Sequence, residues 1–579
     1  MNKNIIRWFP IVFFVVAYLI PLSWRPLMTP DEFRYAEIPR AMVVSGDWVS
    51  PRLLDMRYFE KPALGYQLIA ASFVVFGENA FALRLPGALA TGLTALLICF
   101  FTARKLKDEE TAMFASLLYM AGGMVLGVGT FAVLDAPLTL FLVATIVFYS
   151  CALDERDRRK RLAWLAACGA ACGAAFLVKG FLALVVPVLV VVPYLIWTKR
   201  FKALYTTPWI PLIFTIIVAA PWSWMIHIRE PEFWSYFFWI EHMQRFFHPN
   251  PSGQHGSPVW ALVPALVFGA FPGALVALGA LVALKTRFKE FIKDDFCRFL
   301  TCFWLMPFLF FSASSGKLAT YILPCFAPIA ILMAIGMKSY LDAGGRKLLT
   351  IPLATLRWLF VIGVPGFIVV QLLMNFGPLK AIELYSADEW WRWASIGLAV
   401  AIWLPMLFIA ARKTPRVMIS AFFAGLALAL MTGQLALPAQ HMTGKNQESA
   451  FVKLMPYIPE DAHILVLHNV MHAASWMLRS DNIDFFLTAG ELNHNLQEHE
   501  KFKLEYGHRL YTHERFTAYI DDPNRREDVV VLARLRERDF EKDSKRHFGK
   551  LKVKPDVEKH VEDIYLGVWL APLYPPLEK

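Results

Sequence analysis

TPDEFRYAEI, at residues 29–38, is a charged segment that follows the first hydrophobic run of a chain rich in such runs. A second polar segment, RYFEKP, occupies residues 57–62. Both place carboxylates and cations next to apolar sequence, and each uncompensated charge held against a membrane is unfavourable by several kcal/mol. The two segments therefore predict an outward-facing loop with a chemical role on a membrane-embedded domain.

Composition assigns the chain to the polytopic membrane proteins. Of its 579 residues, 57% are hydrophobic and 18% are charged, and the mean hydropathy is +0.45. A net charge of +11 would indicate nucleic-acid binding in a soluble chain. Here most of the surplus Lys and Arg residues lie in short loops between apolar runs, which is typical of membrane topology. We therefore expect a lipid bilayer as a partner and no nucleic acid.

About 13 apolar runs are long enough to cross a bilayer, which takes roughly 17 to 25 residues. They begin near residues 8, 82, 112, 134, 162, 180, 205, 259, 298, 318, 352, 392 and 417. The first run is interpreted as a retained anchor, because no small-residue cleavage site follows it. With the N-terminus inside, the loops rich in Lys and Arg fall on the cytoplasmic side. Two long loops, 28–80 and 227–258, then face outward.

The sequence predicts two domains. Residues 1–437 form a transmembrane domain that carries both outward loops. Residues 438–579 contain no further span and alternate polar stretches with short β-branched runs at His463–Val470, Asp528–Leu535 and Ile564–Leu573. This alternation predicts a small α/β domain. The odd number of spans puts it on the outward side, which is the periplasm in a Gram-negative bacterium.

The segment from Thr29 to Glu32 has the pattern of a helix start. Thr29 is predicted as the N-cap, and Glu32 completes a capping box. Asp31 then complements the helix dipole, and this interpretation requires no chemistry. The alternative rests on spacing, because i, i+3 and i+4 positions put Asp31, Arg34 and Tyr35 on one helix face. Both interpretations stay open on the residues alone.

RYFEKP adds Glu60 and Lys61 to the same loop. Lys61 together with Arg34 predicts a phosphate site, because a guanidinium offers a bidentate fork and an ammonium a compact charge. Alternatively, Lys61 snorkels to the membrane interface and Arg57 anchors the loop. Glu60 and His242 are candidate ligands of a divalent metal such as zinc, although two ligands make a poor zinc site without a third. No cofactor is strictly required.

More polar positions are predicted on the outward side. Asp135 begins a span, where an ionisable residue is either a helix cap or a functional group. Lys179 lies at a short turn and is either a phosphate contact or an interfacial anchor. Lys317 and Tyr321 fall in SSGKLATYILP between two spans, where the alternative is a plain turn with anchoring side chains. Because these residues are all predicted on the outward side, we expect them to lie in one pocket.

Six motifs, in order and spacing, resemble one family. TPDEFRYAEI, RYFEKP, VLDAP, KGFLALVVPVL, REPEFWSYFFWIEHMQRF and GKLATYILPCF, between about residues 20 and 335, resemble the bacterial undecaprenyl-phosphate 4-amino-4-deoxy-L-arabinose lipid A transferases. That family belongs to the GT-C membrane glycosyltransferases and is related to protein O-mannosyltransferases. The later spans and the tail fit in length and placement but have weaker motifs. The resemblance implies a GT-C fold of about 13 transmembrane helices with a C-terminal periplasmic α/β domain.

The resemblance also implies a reaction and a set of residues. The donor is aminoarabinose linked to undecaprenyl phosphate. The acceptor is a phosphate of lipid A at the periplasmic face of the inner membrane, where the modification gives resistance to polymyxin and other cationic antimicrobial peptides. By motif, the catalytic residues are Asp31, Asp135 and Glu32. The substrate-binding residues are Arg34, Tyr35, Tyr58, Lys61, Lys179, Arg245, Lys317 and Tyr321. The metal candidates are Glu60 and His242.

Other function classes make different predictions. A protein O-mannosyltransferase that uses a polyprenyl-phosphate sugar shares the fold and the acidic first loop, and its product is a modified Ser or Thr. A transporter should show inverted repeats and paired broken helices, which are not apparent in this sequence. A lipid-binding scaffold would turn over no donor. Because a phosphate monoester is largely ionised at neutral pH, direct attack with inversion fits the transferase best.

Overall fold

The computed structural model describes residues 3–244, 258–314, 316–377, 385, 387–437, 445–467, 469–535, 540–549, 551 and 553–572. The chain forms two compact units. The helical unit consists of Met1–Arg25, Phe59–Ser72 and Phe81–Pro438. The α/β unit consists of Pro26–Tyr58, Phe73–Ala80 and Ala439–Lys579. The first outward loop thus contributes most of its length to the same unit as the tail.

Apolar helices dominate the described part of the helical unit. Nine helices there are long and apolar enough to cross a membrane: Ala80–Leu106, Asp135–Asp154, Arg158–Lys179, Phe201–Arg229, Asp295–Ala313, Ala319–Asp342, Lys347–Phe376, Trp390–Ala411 and Pro415–Gly433. Four shorter apolar helices are Arg7–Ser23, Leu64–Phe76, Leu182–Trp197 and Val259–Gly269. These helices agree with the polytopic architecture predicted from composition.

Two predicted spans are interrupted. The run near residue 112 forms a 12-residue helix, Glu109–Met120, followed by Gly123–Gly129. The run from residue 259 forms the α-helix Leu262–Gly269, then a short 3-10 helix at Gly273–Ala277, and resumes as an α-helix at Gly279. The two breaks meet, and the backbone N–H of Gly123 donates to the carbonyl of Phe271 at 2.7 Å. Backbone N–H and C=O groups within a bilayer need protein partners, and here a backbone group at one break hydrogen-bonds a backbone group at the other.

Close packing sets the helix Arg158–Lys179 against its neighbour. A Cβ added at Gly169 would lie 2.2 Å from the carbonyl oxygen of Pro211. Thr215 uses this approach and donates its hydroxyl to the Gly169 carbonyl at 3.0 Å. Small residues permit such backbone contact between membrane helices, where van der Waals packing drives association. The end of this helix, at Lys179, is therefore held in a fixed place.

The α/β unit contains a six-stranded sheet and, from the first loop, a short hairpin. The hairpin strands are β1 (Arg52–Leu53) and β2 (Met56–Arg57). The sheet strands are β3 (His463–Val466), β4 (Ile483–Phe486), β5 (Leu510–Tyr511), β6 (Val529–Arg534), β7 (Val557–Val561) and β8 (Ile564–Trp569). Their order is β5-β4-β3-β6-β8-β7.

The first four sheet strands run parallel and the last two are antiparallel to their neighbours. This confirms the α/β class of the tail and the predicted strands that became β3, β6 and β8. The sequence missed β4, β5 and β7, of which β5, with two residues, is too short to show an alternation. Helices flank the strands at Glu448–Leu454, Met471–Leu478, Glu500–Tyr506, His513–Ile520 and Phe540–Phe548.

The first-loop helix spans Asp31–Ser45 and belongs to the α/β unit. Its N-cap is Pro30, which makes no side-chain cap, so the predicted N-cap at Thr29 is wrong. The Glu32 carboxylate instead accepts the backbone N–H of Met28 at 3.0 Å, in the manner of the reach-back half of a capping box. Glu32 is fully buried. The contacts of Glu32 therefore favour the capping interpretation over a chemical one.

Candidate active site

A cavity of about 110 Å³ lies in the helical unit beside the end of the helix Arg158–Lys179. Its walls include Lys61, Lys179, Leu182, Glu241, His242, Phe310, Phe311, Ser314, Gly316 and Tyr321. A smaller adjoining cavity shares Lys179 and Tyr321 and adds Asp135. The structure thus brings together predicted residues from five separate motifs.

Lys179 and Asp135 form an ion pair between the two cavities. The Lys179 Nζ lies 2.7 Å from the Asp135 Oδ1, and both side chains are about 12% exposed. Asp135 is the first residue of its helix and Lys179 is the last residue of another. Each charge complements the dipole of its own helix, which adds to their mutual attraction. The Nζ also lies 5.2 Å from the ring centroid of Tyr321.

Gly180 makes the turn that follows Lys179. Its φ of +85° lies in the left-handed region that favours glycine. A Cβ there would lie 2.4 Å from Cζ of Phe237 and 3.2 Å from Nε2 of His242. The prediction that Lys179 stands at a short turn is confirmed, and the turn admits no larger side chain without displacing the cavity wall.

Lys61 is held by two carboxylates. Its Nζ lies 3.3 Å from Glu241 Oε2 and 3.7 Å from Glu60 Oε2, and it donates to the Glu60 carbonyl at 3.0 Å. These contacts orient the ammonium in the cavity wall and argue against a lysine that snorkels to the interface. Sequence reasoning left Glu241 out of the site. Its one signal was its position next to His242 in the second outward loop.

His242 packs among aromatic rings. Its Nδ1 lies 2.8 Å from the carbonyl of Phe237, and its ring centroid is 4.6 Å from that of Phe237 and 5.2 Å from that of Phe181. The contact therefore fixes the orientation of the ring at the cavity wall.

The described residues do not fit the zinc site considered from sequence. Within them, no three His, Cys, Asp or Glu side chains come close enough together to hold a metal ion. Glu60 and His242 are two candidate ligands, whereas zinc sites use at least three protein ligands. The Lys61 ammonium next to Glu60 also competes for that carboxylate. A metal at these residues stays a prediction, and no step below uses one.

Three other predicted substrate contacts have different outcomes. Lys317 is buried and donates to the carbonyl of Ser312 at 2.7 Å and to that of Pro258 at 3.3 Å, so it fastens two backbone segments. Tyr58 is also buried, within the α/β unit. Arg245 lies outside the described residues. The substrate roles of these residues stay predictions.

A charged cluster in the α/β unit contains three more predicted site residues. Arg34 Nη2 pairs with Asp31, and the guanidinium lies 5.3 Å from the ring centroid of Tyr35. This confirms that these residues share a helix face. Arg34 Nη1 also lies 2.7 Å from Glu491 Oε2, and His472 Nε2 lies 3.2 Å from Glu491 Oε1. Sequence reasoning missed both residues of the tail.

Electrostatics in this cluster favour an ionised Glu491. Burial by itself raises the pKa of this carboxyl, but the charges of Arg34 and His472 outweigh burial and lower the pKa from 4.5 to about 2. The cluster therefore holds a guanidinium between two carboxylates.

Known proteins match the chain over most of its length. The undecaprenyl phosphate-alpha-4-amino-4-deoxy-L-arabinose arabinosyl transferase of Pectobacterium atrosepticum is 35% identical over 526 residues, which cover 90% of this chain and 91% of that protein. The protein of the same description from Aeromonas hydrophila is 37% identical over 494 residues, with coverages of 85% and 88%. A family model described as dolichyl-phosphate-mannose-protein mannosyltransferase matches residues 7–237.

Solved structures share the fold. The crystal structure of ArnT from Cupriavidus metallidurans bound to undecaprenyl phosphate has a TM-score of 0.75 at 21% identity and covers 100% of both chains. The apo structure of that protein gives 0.74 at 22% identity, covering 98% of this chain and 99% of the other. With the apolar helices and the C-terminal sheet, this likeness confirms the predicted GT-C membrane fold.

Proposed function

The chain belongs to the family of undecaprenyl phosphate-alpha-4-amino-4-deoxy-L-arabinose arabinosyl transferases, and we propose on this premise that its acceptor is a phosphate of lipid A. The protein is a glycosyltransferase, and its donor is 4-amino-4-deoxy-L-arabinose linked to undecaprenyl phosphate. The mannosyltransferase family model matches residues 7–237 alone, whereas the arabinosyl transferases match most of the chain. The broader match favours aminoarabinose over mannose.

The reaction takes place at the periplasmic face of the bacterial inner membrane. The sequence supports this orientation, because Lys and Arg concentrate in alternate short loops and the candidate residues lie on the opposite side. Adding aminoarabinose to a lipid A phosphate reduces the negative charge of the outer surface. Weaker attraction of polymyxin and other cationic peptides follows from that loss of charge.

The observation that carries the mechanism is the convergence of Lys61 and Lys179 on one cavity. As the bond between the sugar carbon and the donor phosphate oxygen breaks, the electron pair stays with the phosphate. Negative charge grows there and positive charge grows on the sugar ring. Two ammonium groups that are already oriented by carboxylates stabilise the departing phosphate without reorganising.

The acceptor needs little help from a base. The second pKa of a phosphate monoester is about 6, so its attacking oxygen is already ionised at neutral pH. Direct attack forms the new bond from sugar carbon to phosphate oxygen, releases undecaprenyl phosphate and inverts the sugar carbon. Asp31 and Asp135 then orient substrates and stabilise the sugar cation rather than remove a proton, and Arg34 binds the donor phosphate.

The test is transfer by the purified protein in lipid nanodiscs with both lipid substrates. The expected result, by mass spectrometry, is aminoarabinose on a lipid A phosphate with release of undecaprenyl phosphate, and equal rates with and without a chelator. Transfer from a polyprenyl-phosphate mannose to a Ser- or Thr-containing peptide, with lipid A unmodified, would assign the chain to the mannosyltransferases instead.

A further inference from the structure

The carboxyl edge of the parallel strands in the α/β unit carries two polar side chains that meet. His472 lies in the helix Met471–Leu478 that follows β3, and Glu491 lies in the turn of helix that follows β4. Strands β3 and β4 are parallel neighbours, and the crevice beyond the carboxyl ends of such strands is where α/β sheets bind ligands. His472 and Glu491 therefore occupy the ligand-binding edge of this sheet.

Arg34 of the first-loop helix fills that edge. Its guanidinium contacts Glu491 on one side at 2.7 Å and Asp31 on the other. The side chains of Arg34 and Glu491 are 15% and 20% exposed, so solvent screens the pair only in part. Glu491 is ionised, as its lowered pKa shows. Charge-assisted pairs of this kind fix a guanidinium in direction as well as in place.

We propose that Glu491 is a positioning residue for Arg34, through which the C-terminal segment takes part in sugar transfer. The proposal rests on the proposed function, in which Arg34 binds the donor phosphate. His472 braces the carboxylate, and the carboxylate sets the rotation of the guanidinium before substrate arrives. An arginine that is already oriented loses less side-chain freedom on binding phosphate. Glu491 itself need not touch substrate.

The same helix offers a contrasting ion pair. Arg40 donates to Glu37 through two nitrogens, at 2.9 and 2.6 Å, and to Asp481 at 2.6 Å. Arg40 is only 4% exposed, so this cluster fastens the helix and is closed to a substrate. Asp481 therefore matches Glu491 as an acid of the C-terminal segment paired with an arginine of the same helix, but its partner is Arg40, whereas the partner of Glu491 is Arg34.

The first experiment compares Glu491→Gln with Asp481→Asn in the full-length protein in nanodiscs. For Glu491→Gln we expect kcat/KM for the donor to fall by about 10²-fold, which is the scale of effect when a remote change misplaces a catalytic contact. The donor KM should rise while the acceptor KM stays unchanged. For Asp481→Asn both KM values should equal those of the wild type. Because KM does not depend on the folded fraction, a purely structural role would leave it unmoved.

A double-mutant cycle identifies the route. In an Arg34→Lys background, adding Glu491→Gln should lower kcat/KM for the donor by less than threefold, because the guanidinium that Glu491 positions is already gone. The proposal would be overturned if the losses of kcat/KM in the two single variants multiplied in the double variant. Wild-type donor kinetics in Glu491→Gln would also overturn it. If Glu491→Gln does not fold, Glu491→Asp is the second variant, because it keeps the charge and shortens the side chain. A wild-type donor KM in Glu491→Asp would also overturn the proposal. Absence of aminoarabinose transfer by the wild-type protein would refute the proposed function instead.

Discussion

The Nζ of Lys179 lies 2.7 Å from the Oδ1 of Asp135 where one apolar helix ends and another begins. The same helix, Asp135–Asp154, carries a second acid–lysine pair at its far end, between Asp154 and Lys105. The two pairs are chemically alike, but only the first borders the cavities. Their comparison separates a role in the reaction from a role in holding the helix.

We predict that Asp135→Asn lowers kcat/KM by about 10²-fold, because Lys179 loses the carboxylate that orients it toward the substrate phosphate. Asp154→Asn should stay within about twofold of the wild type, since the Asp154 side chain is 42% exposed and surface pairs contribute at most about 1 kcal/mol. The measurement is initial transfer rate against donor concentration for both variants. Equal losses in the two variants would reduce Asp135 to a helix-end contact.

Lys61→Ala should impair use of the donor. The ammonium is held 3.3 Å from Glu241, and its loss removes a charge-assisted contact worth roughly 1.5–3 kcal/mol, or about 10- to 10²-fold in donor kcat/KM. Lys61→Arg should recover only part of this, because a planar fork does not replace a compact charge between two carboxylates. Donor kinetics that match the wild type in Lys61→Ala would restore the interfacial-anchor interpretation.

Asp31→Asn should abolish transfer while the protein still folds and inserts. We expect a fall in kcat of at least about 10²-fold, which is the range for a charged group that acts on the reacting atoms. Asp47→Asn is the structural control, because Asp47 accepts backbone N–H groups of Val49 and Ser50, at 2.9 and 3.3 Å, in the same unit. Transfer by purified Asp31→Asn at a near wild-type rate would remove Asp31 from the mechanism.

Stability should depend on pH through Glu491. Its pKa is about 2 in the folded protein and 4.5 in the absence of its partners. A lowered carboxyl pKa contributes stability that is fully present above pH 4.5 and is lost as the pH falls toward 2. The difference in Tm between wild type and Glu491→Gln should therefore be constant from pH 7 to about 5 and shrink below 4.5. A difference that persists undiminished at pH 3 would contradict this assignment.

Sequence predicted best what depends on local order along the chain. Asp135 and Lys179 were found because a charge at the end of an apolar run is conspicuous, and Asp31 and Arg34 because helical spacing relates them. The sequence did not predict Glu491 as a site residue, because Glu491 and its partner Arg34 are 457 positions apart along the chain. The same applies to Glu241, which lies 180 positions from Lys61.

The fold shows the same limit. Apolar length predicted the membrane helices and β-branched runs predicted the buried strands. The fold of Pro26–Tyr58 with the tail depends on contacts that no local pattern records. The edge strand β5 has only two residues. Its pairing is therefore a property of the assembled sheet rather than of its own sequence.

Gly180→Ala tests whether the turn after Lys179 shapes the cavity. Gly180 and Gly344 both have positive φ, at +85° and +78°, so alanine strains the backbone at either position by roughly 1–2 kcal/mol. A Cβ at Gly344 meets nothing within 4 Å, whereas at Gly180 it meets Phe237 at 2.4 Å. The Gly180→Ala side chain must therefore push Phe237 and the adjoining His242 out of place.

We expect Gly180→Ala to lower both Tm and kcat/KM, the latter by at least about 10-fold, because displacing the wall moves Lys179 and His242 together. Gly344→Ala should lower Tm by its backbone strain alone and leave kcat/KM at the wild-type value. The two variants share the strain, so the difference between their transfer rates isolates the steric effect at the cavity. Equal transfer rates for the two variants would mean that the contact of Gly180 with Phe237 and His242 does not shape the reacting site.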